Sequence, residues 1–248
     1  MKYIFVDNKI RDIELKYLKA LEYQVIFIPT NNKTYEEISS HTDIHVCKIK
    51  DKVIVSVEIY KYLETKYFNN NIFLDLKTKI IKGSSNVLNK YPLDVKYNIF
   101  NFKDYVFHNF NYSDKICLEL ISKYKLNLVN INQGYSNCTS VNIMDKLCIT
   151  SDLGIYNKVK TNFKSIDIIY IDKDKCNIKL IKNNGQYSKM QGFIGGCMSY
   201  IDRKLIIFGD SKNIYNFNII KQKLDELNVE IVDFKGMDLI DYGKIIEV

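Results

Sequence analysis

The chain has 248 residues, with 36 Lys and Arg against 29 Asp and Glu, a formal charge of +7, and 46% hydrophobic residues. That apolar fraction supports a packed core and excludes disorder, while ten Gly and two Pro exclude a collagenous or low-complexity chain. No stretch reaches the ~18 uncharged apolar residues of a spanning helix, and Asp7 falls too early for a signal-peptide core, so one cytoplasmic domain over residues 1–248 is expected. Lys2–Val6 reads as a strand, and a helix follows from about Ile10 to Leu21. His41–Ile49 and Asp51–Val55 then form an apolar pair around a polar turn, the pattern of a β-hairpin. Ile59–Phe68 predicts a helix and Asn71–Leu74 a strand after it. The hairpin pattern returns at Asp94–Phe100 with Asp104–Phe107, and a helix over Ser113–Leu126 follows, with Ser113 as its cap. It returns again at Gly134–Ile143 with Asp145–Ile149, and at Gly192–Ile201 with Asp202–Ile207. A helix over Ser211–Leu227, a strand at Val229–Val232 and a last strand in Gly243–Val248 complete the chain.

The turn aspartates 51, 104, 145 and 202 recur at a spacing of roughly fifty residues, which is the signature of a repeat architecture. The N-terminus enters this pattern in mid-repeat, because Lys2–Val6 matches the second hairpin strand that begins at Lys52. Its missing partner can come from Gly243–Val248, so that the two ends of the chain pair. The expectation is a closed five-bladed α/β propeller of five ββαβ units, a closure that removes exposed sheet edges. An open α/β sheet with irregular insertions is the alternative.

Such a ring brings equivalent residues of each unit around one axis. The residues that open the first hairpin strands are polar: His41 and Asp43, Asp94, Gln133, Tyr135 and Cys138, Gly195, Gly196 and Cys197, Asp238 and Asp241. Polar groups at equivalent places around an axis point to a pocket. If the strand is regular from its start, alternation puts His41, Asp43, His45 and Cys47 on one face. The six cysteines show no CxxC pairing, which disfavours a zinc ribbon or a thioredoxin motif. No metal and no cofactor is expected. The lysines are dispersed among acids rather than gathered into a basic run, so a small-molecule partner is expected rather than nucleic acid or a membrane.

Five ββαβ units with His41-Thr-Asp43, Cys138-Thr-Ser140 and Phe193-Ile-Gly-Gly-Cys197 resemble the pentein superfamily, the guanidino-group-modifying enzymes that include arginine deiminase and dimethylarginine dimethylaminohydrolase. The family order is Phe-x-Gly-Gly-Asp, His-x-Asp or His-x-Glu, then a late Cys. Read around a closed ring, the order here is the same from another starting point, as in a circularly permuted member. The resemblance implies a thiol nucleophile at Cys138, an acid–base role for His41 and a guanidinium anchor at Asp43. It further implies substrate contacts from Asp94, Gln133, Tyr135, Gly195, Gly196, Cys197 and Asp241. The activity implied is hydrolysis or amidino transfer on a guanidine- or amidine-type C–N compound through a covalent thiol adduct. One position departs from the pattern: where the family motif ends in a second acid, this chain has Cys197, and Asp94, Asp238 or Asp241 is left to substitute. Cys197-Met-Ser199 also resembles the nucleophile motif of arginine deiminases, which makes Cys197 the second candidate. A non-catalytic protein that kept the fold and lost the substrate acid is the other reading of the same departure.

Overall fold

The structure, a computed structural model, describes residues 2–68, 74–163, 166–181 and 190–248. Its first unit comprises β1 (Tyr3–Asp7), α1 (Asp12–Ala20) and β2 (Gln24–Ile28). A short helix, α2 (Thr42–His45), leads into the second, with β3 (Val46–Ile49), β4 (Lys52–Val55), α3 (Val57–Leu63), α4 (Leu74–Lys79) and β5 (Ile80–Lys82). The third contains β6 (Phe100–Phe102), β7 (Tyr105–His108), α5 (Lys115–Lys123) and β8 (Asn127–Asn130). The fourth contains β9 (Ser140–Ile143), β10 (Leu147–Thr150), α6 (Leu153–Asn162) and β11 (Asp167–Tyr170). The fifth contains β12 (Met198–Ile201), β13 (Lys204–Ile207), α7 (Phe217–Glu226) and β14 (Glu230–Val232), and β15 (Ile246–Glu247) ends the chain.

Each unit is a three-stranded sheet with one antiparallel hairpin and one parallel strand reached through a helix. β15 supplies the missing strand of the first unit, pairing antiparallel with β1 in the register Ile4 to Glu247 and Phe5 to Ile246. Five sheets therefore close on themselves as a five-bladed α/β propeller. The middle strands β1, β4, β10 and β13 are almost wholly buried, since neighbours flank both edges and helices or adjacent sheets cover both faces. This burial explains their continuous apolar runs. Asp145 and Asp202 sit in hairpin turns at positive φ, a conformation Asp tolerates better than most residues.

Several boundaries differ from the sequence expectation. The first hairpin strands are only three or four residues long, because a turn or a helical turn precedes each of β3, β9 and β12. Thr42–His45 is helical, so His41, Asp43, His45 and Cys47 do not share the face of a regular strand. α5 is capped by Asp114, whose carboxylate accepts from Ile116 N at 2.9 Å, and not by Ser113. α7 starts six residues after Ser211, which opens a separate 3-10 turn held by Asp210. The strand expected at 71–74 lies outside the described residues up to 73. Leu74 opens α4, and the parallel strand of that blade is β5. At the C-terminus Gly243 and Lys244 take positive φ, which delays the last strand to Ile246.

Candidate active site

The turns that shorten the first strands are the elements that build the site. His41 caps α2, Cys138 lies in the turn before β9, and Gly195–Gly196 lie in the turn before β12. Closure by β15 adds Asp241 to Lys244. His41, Cys138 and Asp241 line one cavity of about 240 Å3.

His41 is buried between two carboxylates. Its Nε2 is 3.8 Å from Asp7 Oδ2 and its Nδ1 is 3.7 Å from Asp241 Oδ1, too long for hydrogen bonds but close enough for ion pairs once the ring is protonated. Burial pushes His41 down to about 3, helped by the charge of Lys9, so the ring is neutral without a ligand. Asp7 is held by Ser40 Oγ at 2.6 Å and Lys9 N at 2.7 Å. Asp241 accepts from Phe193 N and from Gly243 N, both at 2.8 Å, and burial still raises it to about 6.

Asp43 is fully buried; the Cys138 thiol and the Asn98 amide are the donors near its carboxylate, and neither reaches hydrogen-bond geometry with its oxygens. Asp43 does not form part of the cavity wall; Cys138, Asp241 and Asn98 act on it from close by. Burial, and then the charge of Asp241, raises it to about 7. Asn98 ties the two motif segments together. Its amide nitrogen donates to Asp43 O at 3.1 Å and to Cys138 Sγ at 3.0 Å. Its amide oxygen accepts from Asn137 N at 2.7 Å and Cys138 N at 3.1 Å. Burial drives the Cys138 thiol well above its ordinary value, and the charges of Asp43 and Asp241 add to this. Lys244 Nζ opposes them with a positive charge, and it donates to Asn137 Oδ1 at 2.8 Å and Ser140 O at 2.6 Å. Burial lowers Lys244 to about 8.

The glycines of the Phe-x-Gly-Gly-x motif make room for Asp241. A Cβ on Gly196 would lie 1.8 Å from Asp241 Oδ1, and one on Gly192 would lie 2.4 Å from Asp241 Cβ. A Cβ on Gly195 would meet the backbone of Cys138 and Ser140 at 2.5 Å. Thus Asp241, from the closing segment, brings a carboxylate to the Gly-Gly turn, while Cys197 is packed in the core with its thiol directed to Ile194 O at 3.3 Å.

The other sequence candidates divide. Tyr135 lines the cavity, and its hydroxyl donates to buried Asp94, which does not reach the wall. Gln133 lies outside the wall, accepting from Tyr135 N at 2.9 Å and donating to Asp152 at 3.2 Å. Asp238 is exposed and paired with Lys179. Asp7, Asn98 and Lys244 had no motif to mark them. The signal that could have found Asp7 is its place at the end of an otherwise apolar strand. Among the described residues, no group of three His, Cys, Asp or Glu side chains is placed to hold a metal ion, and no helix is long and apolar enough to cross a membrane.

This closed ring of five three-stranded sheets is the pentein fold. The chain spans 96% of its own length and 92% of the other's when superposed on dimethylarginine dimethylaminohydrolase from Pseudomonas aeruginosa, a cysteine-to-serine variant complexed with citrulline, at 10% identity and a TM-score of 0.52. An adduct of dimethylarginine dimethylaminohydrolase with 4-chloro-2-hydroxymethylpyridine matches over the same shares, at 11% identity and 0.55. Agmatine deiminase from C. jejuni is similar over 94% of this chain and 87% of its own, at 11% and 0.49. No curated protein matches the chain in sequence. Within that fold, the chain belongs to a family of unknown function, DUF6873, whose model matches residues 5–246.

Proposed function

We propose that the protein is a thiol-dependent hydrolase or amidinotransferase acting on a guanidine or amidine. The observation that carries this reading is Asp43, a buried carboxylate with neither oxygen hydrogen-bonded, next to a second buried carboxylate and a thiol at the floor of a cavity. Two desolvated carboxylates share the charge of Lys244, whose ammonium donates to Asn137 and Ser140, and such an excess of acid suits a planar cation with paired N–H donors. Dimethylarginine dimethylaminohydrolase, with citrulline bound in one similar structure, shares the fold and supports the class of substrate.

In the proposed reaction the guanidinium enters against Asp241, and Asp43 adds its charge from outside the wall. Its charge offsets theirs, and the Cys138 thiol becomes more acidic. The thiol proton passes to neutral His41 as Sγ bonds to the central carbon. The C–N bond to the departing amine then breaks, and that amine takes the proton from His41. This leaves an amidino group on Cys138. Water, or an acceptor amine in a transferase, adds to the same carbon and gives its proton to His41, and the C–S bond breaks to restore the thiol.

A cationic electrophile tests this reading. 2-Chloroacetamidine should alkylate Cys138 at least ~10-fold faster than neutral chloroacetamide at pH 7.5, and Asp241→Asn should remove the difference. Equal rates for the two reagents, or labelling of Cys197 ahead of Cys138, would overturn it. A second reading, a non-catalytic binding protein, draws on the thiol's raised pKa and the neutral His41 in the ligand-free site. It predicts uniformly slow labelling by both reagents.

A further inference from the structure

The wall of the cavity carries information that its floor does not. Tyr91, Tyr135 and Phe193 form a row along one side, with centroids of successive rings 6.2 Å and 5.9 Å apart and interplanar angles of 37° and 30°. Ile38, Ile44, Leu180 and Met190 add apolar surface around them, and the polar side chains of Glu37 and Gln191 also reach this part of the lining. The row is built to hold its shape. Tyr135 is fixed at its hydroxyl by Asp94 and at its backbone by Gln133, and Phe193 is fixed by the bond from its own N–H to Asp241. The same residue therefore orients the acid at the floor and supplies a ring to the wall.

Resting on the function proposed above, we infer that the group carried by the guanidine or amidine is flat and apolar, an aryl or short alkyl substituent, and not an amino-acid chain. The charged head needs a desolvated carboxylate, which Asp241 offers at the floor. The substituent attached to it must then lie along the ring row. Aromatic faces tilted by 37° and 30° to one another form a broad apolar wall, which favours a planar apolar partner by area removed from water and by contact with a ring face. A zwitterionic tail would give up hydration of its ammonium and carboxylate against the same rings, and such a cost is repaid only by polar partners. The charged or polar side chains that a zwitterionic tail would meet are Glu37 and Gln191 in the lining and Lys173, whose ammonium lies 5.9 Å from the Phe193 ring centroid, and arginine as a competitor tests whether they repay its desolvation.

The test is protection of Cys138 in the wild-type protein against 2-chloroacetamidine, with guanidinium chloride, n-butylguanidine, phenylguanidine and arginine as competitors. Phenylguanidine is expected to protect at a concentration at least ~10-fold below that of guanidinium and of arginine, a preference of about 1.4 kcal/mol. Phe193→Ala should bring phenylguanidine to within a few fold of bare guanidinium. Arginine protecting as well as or better than phenylguanidine would overturn the inference while leaving the guanidine reading intact. Protection by guanidinium with no gain from a phenyl or butyl group would do the same. If no competitor protects, guanidinium included, the guanidine reading itself falls.

Discussion

Gly196→Ala offers a quantitative test of how the site acquires its acid. The added Cβ would sit 1.8 Å from Asp241 Oδ1, 2.4 Å from Cγ and 2.9 Å from Oδ2. These are atoms of a short side chain that cannot swing clear. Asp241 is held by two backbone N–H groups at 2.8 Å and faces His41 at 3.7 Å. To make room it must give up those bonds, and each buried N–H left unpaired costs about 1–3 kcal/mol. Overpacking a tight site costs a comparable amount. We expect Gly196→Ala to destabilise the protein by about 2–4 kcal/mol, a fall of several degrees in Tm, since one kcal/mol shifts a protein of this size by about 2–4 °C. The decisive measurement is the cycle with Asp241→Ala. In that background the alanine methyl meets no carboxylate, so its cost should drop to about 1 kcal/mol or less. An undiminished cost beside Asp241→Ala would refute the claim that the glycine exists to admit the carboxylate.

The raised carboxylates give a pH dependence of defined sign. Asp43, at about 7, and Asp241, at about 6, bind protons more tightly folded than unfolded, so their contribution to stability falls as pH rises from about 4 to 7, against an opposite contribution from His41 and His108, which burial holds neutral. Asp43→Asn should flatten much of that decline and be the more stable protein at pH 8 in urea melts; a variant with the wild-type slope would count against the burial argument. Asn98→Ala removes two donors and two acceptor contacts between the His41–Asp43 and Cys138 segments. It is expected to cost about 2–4 kcal/mol by chemical denaturation, whereas a cost below 1 kcal/mol would mean that the bracket is dispensable.

The ring was legible because its signal is physical and repeated. Middle strands buried on both faces must be apolar throughout, and the turns between hairpin strands favour polar turn formers, so runs such as Val53–Val55 and Leu205–Ile207 beside Asp51 and Asp202 stood out, although in the first of these turns it is Lys50 that takes positive φ. The lengths of the first strands were not legible, because polar residues such as Thr42 and Asp43 continue an alternating pattern whether the chain is extended or turns. In the site, paired motifs singled out His41, Asp43 and Cys138. Asp7, Asn98 and Lys244 enter alone from distant segments, and a lone polar residue has no spacing to mark it. Among Asp94, Asp238 and Asp241, the sequence offered three acids of the same kind. Only packing separates them: Asp238 is exposed, Asp94 is held by Tyr135 away from the wall, and Asp241 fills the space left by two glycines.

The location of that acid has an electrostatic consequence. Asp7, Asp43 and Asp241 are gathered with a thiol where water is excluded, and burial drives all three carboxylates upward. Like charges in a desolvated space cannot all ionise, so the ligand-free site holds protons that a bound cation would displace. Lys244 supplies one positive charge, but its ammonium is committed to Asn137 and Ser140 and is itself pushed down to about 8. On the proposed function, the substrate is the missing counter-charge. Its arrival favours the ionised forms of Asp43 and Asp241 and strengthens its own hydrogen bonds, and beside Sγ its charge offsets theirs, so the thiol is activated only where a guanidinium is present to receive it. Affinity for a permanent cation should accordingly rise as pH increases through the interval from 6 to 7 and level off above it. The protons released on binding can be counted directly by calorimetry in buffers of different ionisation enthalpy. A binding reaction that released no protons at pH 6.5 would show that the carboxylates are already ionised, and would refute the claim that a bound cation displaces protons from the site.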